Sequence, residues 1–147
     1  MKLSEIKWDG YRCLAFIDSG TRLLSRNQNE ITQVFPELQN LHQKLKTNGC
    51  LLDGEIIALH NGKPSFLELQ KRAQLKDLKK INFYKAKIPV VYVAFDLLYL
   101  NQQAIYHKPL AERREHLISN CHPENSSSPI LLKPKELPIL SQLLHWD

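Results

Sequence analysis

A chain of 147 residues has the length for one domain with a single real core. An apolar share of 43% with 24% charged residues excludes a disordered chain, and no apolar run reaches the ~18–20 residues of a membrane-spanning helix. The net charge of +5 is compatible with a polyanionic partner and equally with plain solubility.

Residues 3–8 read as a short strand ending at the Asp9-Gly10 turn. No apolar stretch follows Met1-Lys2-Leu3-Ser4-Glu5, so the start does not read as a signal peptide. Tyr11 to Asp18 and Thr21 to Ser25 predict a hairpin about the turn Asp18-Ser19-Gly20. A polar loop, Arg26 to Glu30, follows. Val34, Leu38, Leu41 and Leu45 then repeat at i, i+4, i+7 and i+11, which predicts a helix capped at Thr32, with Pro36 in its first turn and Asn48-Gly49 as its stop.

Cys50 to His60 is a strongly apolar run interrupted by Asp53-Gly54-Glu55, and Asn61-Gly62 closes it as a hairpin turn. Ser65-Phe66-Leu67-Glu68 matches a capping box, so a short helix is expected from Ser65 to about Leu75. Lys71 to Lys87 is basic and reads as a surface segment. Ile88 to Leu98 is the most hydrophobic stretch and predicts a strand buried on both faces. Pro109 opens a helix from Leu110 to Ile118, with Glu112, Arg113, Arg114 and Glu115 solvated. Asn120 to Pro129 reads as a loop or linker, and a strand (Ile130 to Lys133) and a helix (Glu136 to Leu144) follow. Hairpin signals recur without a regular βαβ rhythm. The expected fold is therefore α+β, with largely antiparallel sheets and flanking helices.

Three cysteines, Cys13, Cys50 and Cys121, are widely spaced and form no C-x-x-C pair. That argues against a disulfide framework or a zinc site and fits a reducing cytoplasm, with Cys13 and Cys50 as small core residues. The six histidines have no metal-ligand spacing and read as incidental. None of the five glycines forms a G-x-x-x-x-G-K loop, so a nucleotide site here must use side chains.

The stretch Glu5-Ile6-Lys7-Trp8-Asp9-Gly10-Tyr11-Arg12 places a lysine, a carboxylate, a glycine and an arginine in one short turn. An ammonium is not a nucleophile, and its ordinary pKa of ~10.4 must fall first. Nearby cations such as Arg12, and partial burial, push in that direction, so covalent catalysis by Lys7 is a reading the stretch permits. Alone, a lysine beside an Asp-Gly turn reads first as a surface side chain. Glu55 changes the balance, because a carboxylate in an apolar strand needs a cation, a metal or a hydroxyl as partner. By period 2 it shares a face with Asp53, Ile57 and Leu59. Phe95-Asp96 interrupts the second buried run in the same way. Phe95 reads as core or as a face for a purine base, and Arg26 as a solvated residue or a phosphate grip.

Taken together these motifs resemble the covalent nucleotidyltransferases. Lys7-Trp8-Asp9-Gly10-Tyr11-Arg12 matches K-x-D-G-x-R, the first motif of ATP-dependent DNA ligases, RNA ligases and capping enzymes. Ser25-Arg26-Asn27 with Ile31-Thr32 and Phe35-Pro36-Glu37-Leu38 is similar to the next segment of DNA ligases, and Leu52-Asp53-Gly54-Glu55 to their third motif. Phe66 to Arg72 resembles the helix after it. Phe95-Asp96-Leu97-Leu98-Tyr99-Leu100-Asn101 with Pro109-Leu110 and Glu112-Arg113-Arg114 resembles the segment of the adenine-stacking aromatic. The match covers residues 3–118 and resembles most the ligase domain of bacterial ligase D, the non-homologous end-joining enzyme.

The resemblance implies that Lys7 takes AMP from ATP as a lysyl phosphoramidate used to seal DNA nicks or breaks in repair and recombination. It implies that Glu5 helps hold the adenine through its backbone, that Arg12 and Arg26 contact the nucleotide or a DNA 5′-phosphate, that Glu55 binds the ribose or places a metal, and that Phe95 stacks on adenine. ATP and Mg2+ are the implied cofactors, the metal carried chiefly by ATP oxygens. Nicked or broken double-stranded DNA is the implied partner, with an end-binding protein or a second polypeptide as further candidates, in the cytoplasm at the nucleoid.

The family's later E-G-x-x-x-K motif is not found in these 147 residues, and neither is its oligonucleotide-binding barrel; Lys133-Pro134-Lys135 has the spelling of the K-x-K motif but lies too early and lacks its strand context. The chain therefore reads as a single partial adenylation domain, its N-terminal part, from a truncated or split gene or a partial chain. The alternatives are a remnant or half of a split ligase acting as a binding module, and an RNA ligase or capping-type enzyme.

Overall fold

The computed structural model describes residues 10–43, 45, 49–120 and 130–132 of the chain, the last three by backbone alone. The expected strand over 3–8 and helix from Glu136, the linker over 121–129, and the candidate site residues Glu5 and Lys7 lie outside the described residues.

The Asp18-Ser19-Gly20 turn closes the expected hairpin of β1 (Tyr11–Ile17) and β2 (Thr21–Ser25). Asp18 accepts a hydrogen bond from the Gly20 N–H through Oδ1. β3 (Cys50–His60) and β5 (Val90–Leu100) are the two long apolar runs, and they lie antiparallel in the middle of the sheet. Strand order is β2-β1-β3-β5-β6, with β6 spanning Gln103–Ala104. β4 (Lys63–Pro64) folds back on β3 through Asn61-Gly62, both at positive φ, which suits a tight hairpin turn. Asn101-Gln102 makes a second turn of this kind between β5 and β6, without the glycine that would have advertised it. β7 (Ile130–Leu132) joins β5 in parallel, a departure from the otherwise antiparallel pairing. The fold is α+β, as the element pattern required.

One face of the sheet carries the core. Cys13, Ala15 and Ile17 of β1, Leu52, Ile56 and Ala58 of β3, and Tyr92, Ala94 and Leu97 of β5 are buried together. Leu69 of α1 (Phe66–Ala73) and Leu117 of α3 (Leu110–Asn120) complete it. Cys13 and Cys50 are buried, as expected of small core residues. Burial pushes the Cys13 thiol up to about 12.

The helix expected from Thr32 is not one helix. It is three single turns of 3-10 type, Thr32–Val34, Pro36–Leu38 and Leu41–Gln43. Pro36 is the cause: it disfavours the α conformation at Phe35, which sits at φ −124° and ψ 71°. The apolar spacing still reports burial, since Leu38, Leu41 and Leu45 reach the core.

Ser65 caps α1 as its sequence requires, its Oγ accepting from the Glu68 N–H at 3.3 Å. The basic stretch after it is not uniformly surface. Arg72 is fully buried, and residues 78–87 form a helix, α2 (Leu78–Lys87), capped by Asp77, with Ile81 turned inward. Arg72 donates to both oxygens of Glu37 at 2.7 and 2.8 Å, to the Ile88 carbonyl at 2.7 Å and to the Val34 carbonyl at 3.2 Å. It also lies over the Phe35 ring. One side chain thus ties α1 to the 3-10 turns and to the entry of β5.

Candidate functional site

The face of the sheet opposite the core carries the charged residues. Arg12 on β1 is the cross-strand partner of Glu55 on β3, and Leu14 that of Asp53, so Arg12, Glu55 and Asp53 share one face. The period-2 expectation that Asp53 and Glu55 lie together therefore holds.

β5 reaches this face by a bulge. Asp53 pairs with Asp96 while Gly54 pairs with Ala94, which leaves Phe95 as an extra residue. Ordinary alternation would send Phe95 and Asp96 to opposite faces. With the extra residue, both come to the side of Arg12. The Phe95 ring is 5.4 Å from the Arg12 guanidinium carbon, and the Asp96 charge acts on the same guanidinium.

Gly54 permits the close packing behind this face. A Cβ there would run into the Val93 carbonyl and lie 2.8 Å from the Tyr92 ring. That ring's hydroxyl donates to the Cys13 carbonyl at 2.8 Å, which fixes β1 against β5 across β3. Gly54 is needed for the approach of a neighbour, not for its own backbone angle.

Two carboxylates are held by arginines. Asp53, almost wholly buried, accepts from Arg12 Nε at 3.1 Å and Nη2 at 2.5 Å. This hydrogen bond is the largest influence and raises the Arg12 guanidinium above its ordinary pKa; burial opposes it, and the Asp53, Glu55 and Asp96 charges add to the rise. Arg12 is still 56% exposed, so it presents a permanent cation at the surface. Asp96 accepts from Arg113 Nε at 2.8 Å and Nη2 at 3.0 Å, and Arg113 also donates to the Lys108 carbonyl at 2.6 Å. The expectation of a solvated Arg113 is therefore corrected: only 16% of its side chain is exposed, because α3 packs along β5 and Asp96 needs a cation.

Arg12 and Arg26 line one cleft of about 260 Å3 with Leu14, Leu24, Ser25 and Asp53. Arg26 stands exposed in the turn after β2, which the Ser25 and Asn29 backbones close. Arg12, Arg26, Glu55 and Phe95, picked from separate stretches of sequence, thus fall on one side of the sheet. Two arginines beside a half-buried aromatic suit an anionic ligand with a planar base. Among the described residues no group of three or more His, Cys, Asp or Glu side chains has metal-site geometry. The pairing of Asp53 with Arg12 and of Asp96 with Arg113 was missed in the sequence. The signal was present: a carboxylate in an apolar strand calls for a cation, but sequence does not say which one.

The family described as "ATP dependent DNA ligase domain" matches residues 1–136. The chain is 37% identical over 119 residues to the SPbeta prophage-derived DNA ligase-like protein LigB of Bacillus subtilis, covering 80% of this chain and 40% of that one. It is 35% identical over 130 residues to the multifunctional non-homologous end joining DNA repair protein LigD of Mycobacterium tuberculosis, covering 87% of this chain and 16% of LigD. The solved structure of mycobacterial DNA ligase D complexed with ATP and MES superposes with a TM-score of 0.66 at 27% identity, over 97% of this chain and 45% of the other. The chain spans less than half the length of these relatives.

Proposed function

The chain belongs to the ATP-dependent DNA ligase family, and from that membership we propose that it is the adenylation portion of such an enzyme, with Lys7 as its nucleophile. The Lys7 amine, having lost its proton, attacks the α-phosphorus of ATP. A P–N bond forms, the P–O bond to pyrophosphate breaks, and lysyl-AMP remains for sealing a DNA nick or break. The single observation that carries this reading is the convergence of Arg12, Glu55 and Phe95 on one sheet face beside the Arg12–Arg26 cleft.

Each residue has a part. Phe95 offers a half-buried ring on which adenine stacks. Arg12 and Arg26 offer permanent cations to the phosphates of the nucleotide or to a DNA 5′-phosphate. Glu55 binds the ribose or helps place a metal, and Glu5 holds adenine through its backbone. Magnesium supplies charge neutralisation of the triphosphate when bound. With Asp53 and Asp96 engaged by guanidiniums, that ion would be held chiefly by ATP oxygens.

The partner is nicked or broken duplex DNA in repair and recombination, and end joining of the ligase D kind is the context this reading favours. A second reading is a binding module, or half of a split ligase that adenylates only together with a second polypeptide. The two separate in one experiment. The chain is incubated with ATP labelled at the α-phosphate, and magnesium. Label that is acid-labile, alkali-stable and lost in Lys7→Ala supports the nucleophile. Label that persists in Lys7→Ala overturns it, and label that appears only on adding a second polypeptide with the family's E-G-x-x-x-K motif supports the split form.

A further inference from the structure

We propose that the exposed face of α2 is a contact for the phosphate backbone of duplex DNA, separate from the Arg12 cleft. The choice of duplex DNA as the polyanion rests on the ligase reading above; the surface itself rests on charge and geometry.

Residues 76–87 hold five lysines (Lys76, Lys79, Lys80, Lys85, Lys87) and one carboxylate, Asp77. That is a net +4 in twelve residues, out of +5 for the whole chain. Asp77 is spent on the helix cap, its Oδ1 accepting from the Lys79 N–H at 2.9 Å. None of the five lysines is paired with a described carboxylate. Several cations elsewhere on the described surface are paired, as in Arg22–Glu30, Lys71–Glu68 and Lys108–Glu112.

The lysines are also ordered. Ile81 is buried and Tyr84 packs against the core, which fixes the inward side of α2. Lys80, Phe83 and Lys87 follow at i, i+3 and i+7 on the outward side, and Lys79 adjoins them. Phe83 is 54% exposed, and the Lys87 ammonium sits 4.6 Å from its ring centroid. That cation–π contact restrains an otherwise loose side chain in an outward stripe. Lys80 and Lys87 are two helical turns apart, about 10 Å along the axis, a spacing that spans about three phosphate steps of a strand measured along the duplex. A lipid surface fits less well, because Ile81 and Tyr84 face the protein and the two exposed apolar residues, Leu78 and Phe83, lie five positions apart and form no continuous apolar face.

α2 packs on α1 and on the Pro36–Leu38 turn, so it belongs to the layer that covers the core face. The cleft of Arg12 and Arg26 opens on the other face. A contact on α2 therefore holds a duplex without competing for the nucleotide site. It contributes sequence-independent affinity and faster encounter, which suits a protein that must find rare lesions.

Counterion release gives the test. Each phosphate neutralised adds about 0.9 to the slope of log affinity against log salt, so three lysines contribute about 2.7. The full chain is titrated with a labelled duplex of about 24 base pairs at several salt concentrations. The triple variant Lys79→Gln, Lys80→Gln, Lys87→Gln is compared with Lys63→Gln, Lys71→Gln, Lys108→Gln, which makes the same change in net charge elsewhere. Circular dichroism melts check that both remain folded. The expected result is a slope reduced by about 2 to 3 for the α2 variant and by less than about 1 for the other. Between about 50 and 200 mM salt the wild type then loses roughly 40-fold more affinity than the α2 variant. Equal changes in the two variants, an unchanged slope in the α2 variant, or binding to phosphatidylserine vesicles in preference to the duplex overturns the proposal and leaves the ligase reading standing. Absence of duplex binding by the wild type at low salt overturns both.

Discussion

Replacing Arg72 by methionine removes the cation that joins α1, the 3-10 turns and the start of β5. The side chain is fully buried and makes two hydrogen bonds to Glu37 and two to main-chain carbonyls. Methionine fills most of the volume, so the loss is electrostatic and not a cavity. It leaves the Glu37 carboxylate, whose side chain is 19% exposed, without its cation. Breaking a buried pair from one side costs about 3–5 kcal/mol, and the partial exposure of Glu37 points to the lower end, about 3 kcal/mol. For a domain of this length that lowers the melting temperature by roughly 6–12 °C. Urea unfolding followed by circular dichroism measures it, with Lys71→Ala as the exposed control, expected within about 1 kcal/mol of wild type. The double variant Arg72→Met, Glu37→Leu should recover about half the loss or more, because an apolar pair replaces the stranded charge. If Arg72→Met melts like the control, or the double variant is no better than the single, the clamp is not what joins these elements.

Gly54→Ala should be among the most destabilising single-methyl changes, since the added carbon meets the Val93 carbonyl and the Tyr92 ring. A loss above about 2 kcal/mol in urea unfolding is expected, and a neutral result would mean that β3 and β5 separate at little cost. The buried Cys13 thiol, raised to about 12 by desolvation, should resist alkylation at pH 8 in the native state and react on unfolding. Its folded pKa lies above the ordinary thiol value, so the folded state holds the proton longer. The resulting stability is intact below about pH 8.5, falls as the unfolded thiol ionises above it, and is gone as pH passes about 12. Stability curves for wild type and Cys13→Ala from pH 8 to 11 should differ in slope in that direction, and parallel curves would refute it.

The sequence determined the local elements and the candidate residues. Turn chemistry at Asp18-Ser19-Gly20 and Asn61-Gly62, the Ser65 cap and the two long apolar runs each act over a few residues, and each is found where its residues predict. The oddity of Glu55 and Phe95 in buried strands was equally legible, because the cost of burying a carboxylate belongs to the residue and not to the fold. Partnership was not legible. Asp53 takes Arg12, 41 residues away, and Arg72 takes Glu37, 35 residues away, choices made by strand register and by how α1 lies on the 3-10 turns. The same holds for the bulge that brings Phe95 and Asp96 to one face, since a register shift is a property of two strands. Periodicity found the buried leucines after Thr32 but not their geometry, because Pro36 alters the backbone while burial depends only on where the side chains end. Pattern fixes which residues must leave water. Only the assembled sheet decides what each of them meets there.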